Sequence, residues 1–180
     1  TQKDLFTSPQ SNLFSSAFGT LSSNAIGNSD ALAAALSATG TIATSFPDTP
    51  LGNQLKSIAY LISASGTLKL KRQVFFARIG GWDTHENQGN AGGGMYAGLV
   101  EELAQGLGAL YTDLDGAGAA NYTQRLTVVV MSEFGRRVFE NADSGTDHGH
   151  GNNMLVLSGN ATGGLHGTWP GLADAQLNDG

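Results

Sequence analysis

The run Leu126–Met131, within RLTVVVMSEFG, is the strongest constraint on the fold: β-branched and apolar without a break, then polar at once. A run of this kind predicts a strand buried on both faces. Two other segments are of the same type. Gln73–Gly81 (QVFFARIGG) is β-branched and aromatic and ends in glycines, and Asn153–Gly159 (NMLVLSG) is short and apolar. Between the first two lies a long helical pattern, from about Met95 to Leu114. Leu99, Leu103, Leu107 and Leu110 keep close to its 3.6-residue period, with Glu102 the misfit. Strand, long helix, strand is the crossover unit of a parallel sheet, so the expected fold class is α/β with a parallel sheet.

The N-terminal part reads differently. Residues 1–48 form a Ser/Ala/Gly-rich segment of helices and loops, and 49–180 carry the α/β pattern as part of a single domain. Leu13, Phe14, Phe18 and Leu21 recur at helical spacing, with Ser8 before Pro9 as the cap. NSDALAAALSATG predicts a second, short helix opened by Ser29 or Asp30 and closed by Gly40. After the break at TSFPD, Thr49-Pro50 caps a better helix whose stripe is Leu51, Leu55, Ile58 and Ile62, ending near Gly66. A loop is expected from Arg136 to Gly151, and the tail GGLHGTWPGL is also loop.

Composition narrows the partners. A formal net charge of -6 and a pI near 5.0 argue against a nucleic-acid groove or an anionic membrane surface. Only 13% of the 180 residues are charged, about half the usual share, a composition common among secreted proteins. With no cysteine there are neither disulfides nor thiolate metal sites. No apolar run is long enough to span a membrane, and TQKDLFTSPQ is not a signal peptide. The abrupt end at LNDG suggests a fragment or a processed chain.

The unusual residues follow the expected strands, where open α/β sheets place their ligand crevice. Asp83 and His85 lie in GGWDTHENQ, and in extended backbone residues i and i+2 point the same way, so a carboxylate and an imidazole can share one cation. Gly80 and Gly81 before them allow close approach to another strand or a ligand. Read alone, the tripeptide is open between a polar turn and a pair of ligands. GTDHGHG holds Asp147, His148 and His150 within four residues, flanked by Gly145, Gly149 and Gly151 that permit a sharp turn. Oxygen and imidazole without sulfur suit zinc, manganese or a similar divalent ion; the alternative is a Gly-rich surface loop. Taken together, the two clusters favour a shared metal site. Glu133 is a ligand, an acceptor that orients a histidine, or a residue leaving the core. Arg136, with Arg137, either binds an oxyanion or forms a surface pair. His166 reads as a loop residue. GNAGGG lacks the lysine of a P-loop and reads as a connector, and no G-x-S-x-G elbow is present.

GGWDTHENQ, SEFGRRVFEN, GTDHGHG and GTWPGL, in this order and with LGNQLKSIAYLI before them, resemble the bacterial family DUF1501. That family is grouped with the alkaline phosphatase and sulfatase superfamily. The resemblance implies a doubly wound α/β/α sandwich of alkaline phosphatase type, incomplete here at the N-terminus and at the C-terminus. It also implies two divalent metal ions (Zn, Mn, Mg or Ca). Asp83 and His85 match the pair at one metal, Asp147 and His148 the pair at the other, and His150 is a candidate for the remaining histidine. Arg136 would contact substrate and Glu133 would support a ligand. The implied function is hydrolysis of a phosphate or sulfate ester, small or polymer-borne; the alternative is an exported binding or surface-assembly protein with a structural metal. The family's GGNDG-like segment and its nucleophile have no counterpart in the chain, so a further N-terminal segment is an expected partner. Export to the periplasm or cell exterior is implied by the same resemblance.

Overall fold

The computed structural model describes residues 4, 6, 12–39, 42–90, 92–116 and 122–168. The chain divides into two compact units, Thr1–Ile42 with Tyr60–Phe75 and Ala43–Ala59 with Phe76–Gly180.

In the first unit the main element is α1, Leu13–Thr39, a single helix of 27 residues where the sequence predicts two. Asn12 opens it: its Oδ1 accepts from the backbone N–H of Phe14 at 2.8 Å and of Ser15 at 3.3 Å. The expected cap Ser8 and the expected stop Gly40 lie outside the described residues. Ser29 and Asp30 sit inside the helix. Residues that cap a helix cost only some tenths of a kcal/mol in a helix interior, so a cap signal alone does not break a long one. The stripe expected to face a core is open to solvent: Phe14 is 84% and Leu21 69% exposed. Phe18 meets the edge of Phe6, with ring centroids 5.9 Å apart.

The second unit is organised around α2 (Pro50–Ser63), as far as Ala59, and α3 (Met95–Gly116). Thr49 Oγ1 accepts from the N–H of Gly52 at 3.1 Å, and Pro50 takes the first helical position, as the sequence predicts. The misfit of the α3 stripe has its reason here. Glu102 Oε1 accepts from the N–H of Leu51 at 3.1 Å, placing a carboxylate at the positive end of α2. Leu51, Leu55 and Ala59 of α2 and Leu107, Leu110 and Leu114 of α3 are buried, Ala59 and Leu114 completely. Gly106 lets the helices close: a Cβ there would stand 2.9 Å from Leu55 Cδ1.

Four short strands follow a 3-10 turn at Tyr122–Arg125: β1 (Thr127–Val130), β2 (Gly135–Glu140), β3 (Thr146–Gly149) and β4 (Leu155–Ser158). They overturn the expected fold class. β1 pairs with β4 antiparallel, from Thr127↔Ser158 to Val130↔Leu155, and β2 pairs with β3 antiparallel. Among the described residues, three helices and two two-stranded antiparallel sheets stand in place of a doubly wound parallel α/β/α sandwich. The expected loop Arg136–Gly151 is itself a hairpin, and it returns the chain so that β4 meets β1 head to tail. An apolar run signals a strand but carries no information on the direction of its partner. Because a two-stranded sheet leaves its faces open, Val129 and Leu155 are about half exposed (50% and 51%).

Gln73–Gly81 is not a strand: it pairs with no strand among the described residues, and Val74 and Phe76 are exposed. One side chain supplies what a neighbouring strand would. Gln54 Oε1 accepts from the N–H of Arg78 at 3.0 Å while its Nε2 donates to the Arg78 carbonyl at 2.9 Å.

Candidate metal centre

Two pieces of backbone bring the polar residues together: the segment 82–88 and the β2–β3 hairpin with its turn at 141–145. The segment lies along the turn as a short strand would. Thr146 N–H donates to the Thr84 carbonyl (3.0 Å), Asn87 N–H to Asp143 (3.0 Å) and Gln88 N–H to Ser144 (2.9 Å). Gly145 is needed for this approach, since a Cβ there would fall 2.2 Å from the carbonyl carbon of His85. Gly81 serves differently from the close approach expected of it. Its φ of +91° is a left-handed conformation that glycine alone enters freely, and Gly80 has open space around it.

The Asp83-Thr84-His85 backbone is bent, with the N–H of His85 3.2 Å from the Asp83 carbonyl. The buried side chain is that of Thr84, and those of Asp83 and His85 emerge into solvent. There they meet His148 from β3. Asp83 Oδ1 lies 2.9 Å from His85 Nε2 and 3.0 Å from His148 Nε2, and the three donor atoms all fall within 4.8 Å of one another. Bonds of 2.0–2.2 Å from nitrogen and oxygen to a tetrahedral divalent ion would set ligand atoms roughly 3.3 Å apart. The two carboxylate–imidazole separations lie within a few tenths of an ångström of that spacing, and the imidazoles are within 4.8 Å of each other. One carboxylate and two imidazoles are a donor set for zinc, and for manganese where water completes the oxygen ligands.

Each donor is held in its own way. His85 Nδ1, the nitrogen away from Asp83, lies 3.2 Å from Asp147 Oδ1. Asn141 Nδ2 donates to that same Asp147 oxygen at 3.2 Å and to the carbonyl of His85 at 2.8 Å. His148 is stacked on Phe134, with ring centroids 4.0 Å apart and planes 30° from parallel. Asp83 receives Arg136 Nη1, whose guanidinium is fixed by Thr146: Nε donates to its Oγ1 at 3.1 Å and Nη2 to its carbonyl. Thr146 Oγ1 and Thr84 Oγ1 both donate to Gln88 Oε1, at 3.0 and 2.7 Å.

The field at the site favours carboxylates. Partial loss of solvent raises the pKa of Asp83, but the bonds from Arg136 and His148 and the nearby charge of the two histidines outweigh it and hold the pKa below the ordinary value. Asp147 is held low by the Asn141 and His85 bonds and by the charges of His85 and Arg137, against a smaller opposing effect of lost solvent.

Of the residues singled out in the sequence, Asp83, His85 and His148 converge as donors, Arg136 joins them at Asp83, and Asp147 sits behind His85. His150, two residues past His148, is exposed and is not one of the three converging atoms. Glu133 is exposed, and its carboxylate pairs with none of the described residues. His166 lies apart, its Nε2 3.0 Å from the carbonyl of Thr162. In GNAGGG, Asn90 and Gly93 exchange two backbone hydrogen bonds, and Ala91 between them lies outside the described residues. Asn141, Phe134, Thr146 and Gln88 carry the supporting contacts, and sequence reasoning missed them. None has a spacing signal, although Asn141 two residues before Asp143 is an ordinary side-chain-capped turn, its Oδ1 accepting from the N–H groups of Asp143 (3.0 Å) and Gly145 (2.9 Å).

Among the described residues no helix is long and apolar enough to cross a membrane. No curated protein and no solved structure matches the chain. Residues 28–180 match the family described as Protein of unknown function (DUF1501), and the chain belongs to that family.

Proposed function

We propose that the chain holds a divalent cation on Asp83, His85 and His148 and uses it to hydrolyse phosphate or sulfate esters. The carrying observation is the convergence of these three donors on a solvent-open face, beside a guanidinium already fixed in place. When bound, the cation would polarise an ester oxygen and make a nearby water or hydroxyl a stronger nucleophile. Asp83 contributes the negative charge and the two Nε2 atoms contribute neutral donors. Arg136, held on two sides by Thr146, keeps Nη1 toward the same point, where it can hold the non-bridging oxygens of a tetrahedral anion. The order of the motifs supports kinship with the alkaline phosphatase and sulfatase superfamily; the sheet lends that kinship no support. One cation is proposed, because a second one on Asp147 and His148 would require the Asp147–His85 contact to open.

A second reading, a structural cation in a binding or surface-assembly protein, draws on a different observation. The same residues fasten segment 82–88 to the hairpin, so a cation there would lock two pieces of backbone together. Zinc and manganese titration of the chain, followed by an aryl phosphate and aryl sulfate panel, separates the two. The expected result is one bound equivalent and turnover, with both lost in Asp83→Ala and His148→Ala. Cation uptake that raises Tm without any turnover would replace the hydrolase with the structural reading, and absence of uptake would remove both.

A further inference from the structure

Asp147 and His148 are neighbours in sequence, yet they address the cluster from different sides. His148 brings Nε2 to the shared point at Asp83, whereas Asp147 reaches the opposite nitrogen of His85 and is absent from the converging set. We infer that Asp147 is a positioning residue, not a cation ligand: with Asn141 it forms a relay that fixes the ring of His85 and keeps its Nε2 directed at Asp83. This rests on the reading that Asp83, His85 and His148 hold the cation.

Three observations carry the inference. The two nitrogens of His85 have different carboxylate partners, Asp83 at Nε2 (2.9 Å) and Asp147 at Nδ1 (3.2 Å), so a proton on Nδ1 leaves the Nε2 lone pair for a cation. The Asp147 carboxylate is itself anchored, because Asn141 Nδ2 donates to Oδ1 and to the His85 carbonyl, joining side chain and backbone of the same histidine. Finally, Asn141 is not free to turn: its Oδ1 is engaged by the N–H groups of Asp143 and Gly145 in the hairpin turn. Outer carboxylates on a metal-bound imidazole orient the ring and raise its basicity, and losing one weakens metal binding about 10–100-fold without removing a ligand.

The test uses zinc titration and imidazole 15N NMR on the chain, with Asp147→Ala, Asp147→Asn and Asp83→Ala. Asp147→Ala should bind zinc about 10–100-fold more weakly with the stoichiometry unchanged, and Asp147→Asn, whose amide oxygen still accepts from Nδ1–H, should fall between it and the wild type. In the metal-free chain the Nδ1 proton of His85 should exchange slowly in the wild type and quickly in Asp147→Ala. A lower stoichiometry in Asp147→Ala, or a loss as complete as in Asp83→Ala, would make Asp147 a ligand and overturn the inference. Unchanged zinc affinity or an unchanged His85 spectrum would overturn it as well. If the wild type takes up no zinc, the cation reading alone falls, and the His85 proton still decides whether Asp147 positions the ring.

Discussion

Where α2 meets α3, Leu51 and Leu55 leave water almost entirely and close on Gly106, and the polar bond between the helices sits at the edge, from the Leu51 N–H to Glu102. Across the β2–β3 hairpin and segment 82–88 the proportions are reversed. Nearly every contact there is a hydrogen bond, and the side chains of Asp83, His85 and His148 remain about half exposed (49%, 48% and 52%). Burial of apolar area is strong and non-directional, so it can hold two helices but cannot aim an imidazole nitrogen. Hydrogen bonds contribute little net stability each but fix direction. The second unit thus separates the region that keeps it folded from the region that sets angles.

That separation breaks if a core change disturbs the site. Leu114→Ala, at a completely buried position, should cost about 2–5 kcal/mol in denaturant unfolding, while zinc affinity measured well below the midpoint stays within twofold of the wild type. A larger loss of affinity would show that the helices set the site's geometry. Gly145→Ala tests the converse. Its Cβ collides with the His85 backbone, so the variant should lose most zinc binding while unfolding only about 1–3 kcal/mol more easily, the usual range for overpacking. Glu102→Ala removes the carboxylate at the start of α2 and should cost about 1 kcal/mol in thermal or urea unfolding, with zinc affinity untouched.

The smallest expected effect is on acid stability. The pKa values of Asp83 and Asp147 are lowered in the folded chain, so their contribution is present above the ordinary Asp value, about 3.9, and is lost as pH falls through the lowered folded values. An Asp83→Asn/Asp147→Asn variant should show a flatter decline of stability with falling pH below about 4 than the wild type. A parallel decline in the two proteins would show that these carboxylates have no share in the acid limb.

The two regions also differ in how far the sequence reveals them. Thr49-Pro50 and the leucine stripes mark α2 and α3 because capping and the 3.6-residue period are local rules. Asp83, His85 and His148 stand out by residue type, and they lie together. What brings them together is not local. β1 and β4 read as members of a parallel sheet, because apolar runs look alike whichever way the partner runs, and only the hairpin at 135–149 reverses the order. Glu102 looked like an error in a stripe because its partner, the Leu51 N–H, lies 51 residues away. Phe134 and Asn141 act through ring stacking and a turn, neither of which leaves a periodic trace.

The register of the hairpin has a consequence for how the turn could change. Arg136 is opposite His148 and Glu140 opposite Thr146, with an irregularity between the pairs. Successive residues of a strand alternate faces, so adding or removing one residue in the turn 141–145 would turn β3 over. Asp147 and His148 would exchange places: the carboxylate would come to the shared point and the imidazole would leave it. The turn is in effect a parity switch on the carboxylate and imidazoles, intolerant of odd changes in length.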